Sequence, residues 1–170
     1  MKKIYSSQPR GTSRNAEKMT FILHLRNGLS KNWMNVRKPP TSAEIYLGTP
    51  DVIGVKEARK TDILKFPTQL ISAEIKTDAN NLITAFGQAC AYELFSHKSY
   101  LVIPKKSGED DLARMDSLCL LHGIGLIHFD NENAEYPDFE IRNRATTHEP
   151  DLFYTNRYVK ILADHKIIFD

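Results

Sequence analysis

The chain has 170 residues, 41% of them hydrophobic, and a formal net charge of +2. This length supports one domain with a proper core and is too short for two. No run approaches the ~20 consecutive apolar residues of a membrane span, and the basic start Met1-Lys2-Lys3 has no apolar segment behind it, so it does not read as a secretory signal and the expectation is a cytoplasmic protein with no membrane partner.

The charge is unevenly spread. Residues 1–40 carry nine Lys and Arg against Glu17 alone, a net of +8, while residues 41–170 hold 14 basic and 20 acidic residues, a net of −6. Such a basic segment can lie along a polyphosphate and gain affinity by releasing counterions; the same charges also suit a solvated terminus. Cys90 and Cys119 fall in helix-like apolar stretches and read as core thiols without a disulfide. The six histidines form no pair at metal-ligand spacing, which argues against zinc.

In chain order, apolar residues from Ala16 to Leu29 recur near helical spacing and predict a first helix over residues 12–29, with Gly28 near its end. Residues 31–42 contain Lys38-Pro39-Pro40 and few apolar positions and read as a connection, followed by a short strand at 44–47. Gly48-Thr49-Pro50 turns the chain into a strand over 51–57, and after a charged stretch the apolar run 70–76 forms its antiparallel hairpin partner. A helix is expected from Leu82 to about Ser96, with Leu82, Ile83, Phe86, Cys90 and Leu94 as its apolar stripe and Gln88 and Tyr92 on another strip. Then come a buried strand at 100–103, a helix over 109–122 with acids in its first turn and Gly123 past its end, and a strand at 124–129. Residues 130–150 read as acidic and turn-rich, and 151–168 as a closing helix. This order of strands and helices calls for an α/β fold with a parallel portion and right-handed crossovers.

The chemistry-bearing residues gather at strand edges. Pro50-Asp51 opens one strand and Glu74-Ile75-Lys76 closes the next, and a hairpin brings the start of the first beside the end of the second. Two carboxylates supply the hard oxygen ligands that Mg²⁺ prefers, and side chains two apart on a strand share a face, so Glu74 and Lys76 point the same way. Alternating charge of this kind also occurs on ordinary surface strands, and a Pro-Asp pair often marks only a turn.

Together these residues resemble the PD-(D/E)XK nuclease superfamily over roughly residues 14–129: a first helix, Pro50-Asp51, Glu74-Ile75-Lys76, and a helix carrying Gln88-x-x-x-Tyr92, followed by a strand. The resemblance implies a restriction-endonuclease-like mixed β-sheet flanked by helices, with residues 1–40 as a basic arm and first helix, 41–130 as the nuclease core and 131–170 as an extension of the same domain. It implies Mg²⁺-dependent hydrolysis of DNA phosphodiesters, with Mn²⁺ as a substitute. Asp51 and Glu74 would be metal ligands, joined by the Ile75 carbonyl and by Glu17 from the first helix, with Glu44 as a competitor for that place. Lys76 would sit beside the attacking water, and Gln88 and Tyr92, expected at the helix start, would contact a phosphate or position Lys76. Arg10, Arg14 and Lys18 of the arm and Arg59, Lys60 and Lys65 of the hairpin loop would grip phosphates. A homodimer is implied as well, and a separate protein partner is left open. The second reading is a non-catalytic nucleic-acid-binding or assembly module on the same fold; a third is a metal-dependent enzyme acting on a small phosphorylated substrate.

Overall fold

The computed structural model describes residues 33–37, 48–58, 60–130 and 138–164. The predicted first helix and the predicted strand at 44–47 lie outside the described residues. Six strands form one mixed sheet in sequence order: β1 (Trp33–Arg37), β2 (Val52–Lys56), β3 (Gln69–Ile75), β4 (Lys98–Pro104), β5 (Gly125–Phe129) and β6 (Phe139–Asn143). The β1–β2, β2–β3 and β5–β6 pairs are antiparallel, and β3–β4 and β4–β5 are parallel. Helix α1 (Leu82–Tyr92) makes the crossover from β3 to β4, α2 (Glu109–His122) that from β4 to β5, and α3 (Leu152–Asp164) follows β6. The chain is thus an α/β protein, as its element order requires.

Two consecutive crossovers of the same hand place α1 and α2 on one face of the sheet. There Leu82, Ala85 and Ala89 of α1 pack with Met115 and Cys119 of α2 over Leu101, Ile103 and Leu126. On the same face, over the hairpin, Tyr158 and Leu162 of α3 pack with Tyr92, Phe95, Ile53, Val55 and Leu70. The alternate strand residues, Val52, Ile71, Ala73, Ile75, Val102 and Ile127, build a separate core on the opposite face. Strands β4 and β5 are buried almost throughout, which accounts for their nearly continuous apolar sequence, whereas β6 at the edge is only partly covered.

Several local expectations are corrected. The supposed connection at 31–42 contains β1, held by antiparallel pairing to β2 with a register irregularity between Met34 and Arg37, so tertiary pairing overrides a weak local pattern. The buried stripe of α1 is Leu82, Ala85, Ala89 and Tyr92, and Ile83 points to solvent. Small alanines let the helix lie close to the sheet, a placement that an apolar count weighted toward large side chains misses. The helix stops at Tyr92, short of Ser96, and β6 falls within the stretch read as turn-rich. Both cysteines are free; Cys119 is fully buried and burial pushes its thiol up to about 12.

The ends of α2 and α3 follow common patterns. Glu109, Asp110 and Asp111 face the positive end of α2, and Gly123 closes it with φ 74°. Asp151 caps α3, its Oδ1 accepting from the backbone N–H groups of Phe153 (2.9 Å) and Tyr154 (3.1 Å).

Gly125 pairs with Tyr100 across β4–β5, and a Cβ there would collide with the Tyr100 ring and lie 2.8 Å from the Ala145 backbone nitrogen. The clash involves backbone as well as ring, so Gly125→Ala is expected to destabilise the fold by roughly 1–3 kcal/mol. Urea denaturation of the two proteins measures this.

Candidate active site

The hairpin register creates the site. Val52 pairs with Ala73, so continuation of the same antiparallel ladder sets Asp51, just before β2, opposite Glu74 near the end of β3. Asp51 Oδ2 accepts a hydrogen bond from the Ile75 backbone N–H at 2.9 Å, which ties the two chain segments at this point. The backbone of Lys76 is fixed in turn by donation from its N–H to the Val102 carbonyl at 2.9 Å.

Glu74 faces the helices and is only 4% exposed. The Lys76 Nζ donates to its Oε1 at 2.9 Å and the Tyr92 hydroxyl donates to its Oε2 at 2.8 Å. Lys76 Nζ also reaches Gln88 Oε1 at 3.4 Å, so Gln88 holds the ammonium from the helix side. A further pair sits one step along β3 on the same face. The Ser72 and Ser96 hydroxyls lie 2.7 Å apart, and Ser96 Oγ donates to the Tyr92 carbonyl at 2.8 Å. These serines pin the end of α1 to β3 and thereby set the height at which the Tyr92 hydroxyl meets Glu74.

Burial, and secondarily the nearby Asp51 charge, push the Glu74 carboxyl up, while its hydrogen bonds from Lys76 and Tyr92 pull the other way. Burial first, then the Glu74 charge, pushes the Tyr92 phenol up, so it keeps its proton and acts as a donor. The site therefore concentrates negative charge in a desolvated position with one ammonium beside it. A hard cation bridging Asp51 and Glu74 would relieve that strain, and the Ile75 carbonyl lies between the two side chains in sequence as a third oxygen donor. Among the described residues no group of three or more His, Cys, Asp or Glu side chains converges.

The structure thus brings together Asp51, Glu74, Ile75, Lys76, Gln88 and Tyr92. Two expectations for the helix pair change. Gln88 and Tyr92 lie in the second half of α1 and not at its start, and Tyr92, with 0% exposure, is a partner of Glu74 and not a phosphate contact. Glu17, Glu44, Arg10, Arg14, Lys18 and Arg59 fall outside the described residues. Lys60 and Lys65 are not near the carboxylates. They sit in the loop joining the far ends of β2 and β3, and Asp51 and Lys56 are separated by five steps of strand, about 17 Å at ~3.4 Å per residue. Ser72 and Ser96 were not singled out from the sequence. The available signal was a polar residue in the middle of the apolar run Leu70-Ile71-Ser72-Ala73, but its partner lies 24 positions away.

No family model, no curated protein and no solved structure matches the chain.

Two substitutions test the site's electrostatics. Tyr92→Phe removes a buried hydrogen bond to a carboxylate and is expected to cost about 2 kcal/mol in denaturant unfolding. Because Glu74 binds its proton more tightly in the folded than in the unfolded chain, the stability tied to that proton is present at acid pH and is lost as pH rises through the folded value. Glu74→Gln should therefore gain stability relative to the parent as pH rises above the ordinary carboxylate range. A variant-minus-parent stability that stays level or falls over this rise contradicts the assignment.

Proposed function

We propose that the chain is a Mg²⁺-dependent DNA endonuclease with a restriction-endonuclease-like core. The observation that carries this reading is the convergence of Asp51, Glu74 and Lys76 at one end of the sheet, with Lys76 Nζ 2.9 Å from Glu74 Oε1 and Asp51 anchored on the Ile75 N–H. The order of elements adds support: an antiparallel β2–β3 hairpin, the α1 crossover and a parallel β4 follow in the order that the resemblance to PD-(D/E)XK nucleases implies.

Asp51, Glu74 and the Ile75 carbonyl would hold the cation. Bound there, Mg²⁺ would supply Lewis acidity, lowering the pKa of a bound water and stabilising charge on the scissile phosphate. The protein's own groups have distinct tasks. The Ile75 N–H fixes Asp51, and the Tyr92 hydroxyl fixes one oxygen of Glu74, which leaves the orientation of both carboxylates set before substrate arrives. Lys76, with its side chain 25% exposed, can turn from Glu74 toward solvent and donate to an attacking water or to a phosphate oxygen, while Gln88 limits how far it swings. Arg10, Arg14 and Lys18 of the basic arm would add phosphate contacts that give affinity without sequence choice.

Supercoiled and branched DNA should be cut in Mg²⁺ or Mn²⁺ and left intact in EDTA. Lys76→Ala should lower the cleavage rate by roughly 10²–10³-fold while still retarding DNA on a gel. DNA that is retarded but uncut under every metal condition would favour a non-catalytic module, and cleavage confined to RNA would move the substrate class.

A further inference from the structure

The end of the sheet opposite the carboxylates carries a feature that the proposed chemistry leaves unused. In the 57–68 loop, Ile63 is 96% and Leu64 86% exposed, the two most exposed large hydrophobics among the described residues. Adjacent aliphatic side chains left in water at a hairpin tip forgo the burial that stabilises such residues elsewhere, so packing among the described residues does not explain them. Their surroundings are basic. Lys60 and Lys65 share the loop, where Lys65 Nζ donates to the Lys60 carbonyl at 3.0 Å, and Lys56 at the loop's base sits over the Phe66 ring, 4.7 Å from its centroid. Across the sheet Lys56 and Arg144 lie close enough to Lys98 that, after burial, their charges push its ammonium down. The acids interleaved in the loop are Glu57 and Asp62. Like charges gathered this way are relieved by a polyanion.

We propose that the 57–68 loop is a DNA wedge, with Ile63 and Leu64 entering a base step of the bound duplex and Lys56, Lys60, Lys65, Lys98 and Arg144 holding the flanking phosphates. An apolar tip with a cationic base matches the two parts of a kinked duplex, the exposed faces of unstacked bases and the phosphates on either side. Insertion of both side chains buries their apolar surface and offsets the loss of stacking. The loop begins about 17 Å along the hairpin from Asp51, a span of about five phosphates of one strand at ~3.4 Å each, so one duplex can reach both ends of the sheet. The wedge rests on the proposed action on DNA. It deepens that reading by making deformable duplexes, those with mismatches, gaps or flexible pyrimidine–purine steps, the favoured substrates.

The test uses the full chain in EDTA and again in Ca²⁺, with duplexes carrying 2-aminopurine at successive positions. Gel retardation reads binding and 2-aminopurine fluorescence reads unstacking. The parent protein should bind and brighten the probe at one or two adjacent positions. Ile63→Ser combined with Leu64→Ser should abolish the brightening and weaken binding by about tenfold, and Leu120→Ser with Leu121→Ser, also solvent-facing but on α2, should change neither. Circular dichroism melts confirm that each variant folds. Binding without brightening by the parent, or brightening retained in the Ile63/Leu64 variant, overturns the wedge and leaves DNA as the substrate. Failure of the parent to bind any duplex overturns both. Loss in that variant of binding to phosphatidylserine vesicles or of self-association, with DNA behaviour unchanged, assigns the aliphatic pair to another partner and overturns the wedge.

Discussion

The antiparallel register between β2 and β3 is the constraint on which the candidate site depends. Pairing Val52 with Ala73 sets Asp51 opposite Glu74, and a slip by one residue would turn Glu74 away from α1 and carry Ile75 into its place. The register is specified by two separate cores. Ile53, Val55 and Leu70 must face the helices while Val52, Ile71, Ala73 and Ile75 must face the other way, and a slip would violate both sets at once. Burial of aliphatic side chains thus aligns two carboxylates that would repel each other.

Helix α1 completes the arrangement by closing over Glu74. Its alanines allow close approach to the sheet, and the Ser72–Ser96 pair fixes its end, so the Tyr92 hydroxyl arrives within hydrogen-bonding distance of a carboxylate held on the neighbouring strand. A buried carboxylate with two donors and a nearby second carboxylate is a high-energy arrangement, in which each missing partner leaves a charge uncompensated. Such a cluster would be relieved by a bound cation.

Much of this was legible in the sequence where the chemistry is local. The alternation of Glu74 and Lys76, the turn before Asp51 and the apolar runs of β4 and β5 all report their structure through nearest neighbours. The hairpin also followed, because two strand-like runs joined by a polar stretch have few other ways to pair. Strand β1 did not, since Trp33–Arg37 is short, flanked by Lys and Pro, and stabilised by pairing with β2 more than by its own composition. The burial of Tyr92 was hidden for a different reason. Helical periodicity gives several stripes, and the one that faces the sheet here carries two alanines and a tyrosine beside a single large aliphatic residue, Leu82. The far position of Lys60 and Lys65 follows from hairpin direction, which separates residues adjacent to the strands in sequence from the site at the strands' other ends.

Among the described residues, the sheet has two chemically unlike ends, an acidic cluster with the Lys76 ammonium at one and cations around an exposed aliphatic pair at the other. A substrate that spans both would be a long polyanion, and under the proposed function a cation between Asp51 and Glu74 would convert holding it into breaking it. Crystals soaked in Mn²⁺ and measured for anomalous scattering test this most directly. The account predicts one peak within ~2.1 Å of an oxygen of both Asp51 and Glu74, with Lys76 displaced from Glu74. Saturating Mn²⁺ that leaves no peak there, with Lys76 still paired to Glu74, would contradict it.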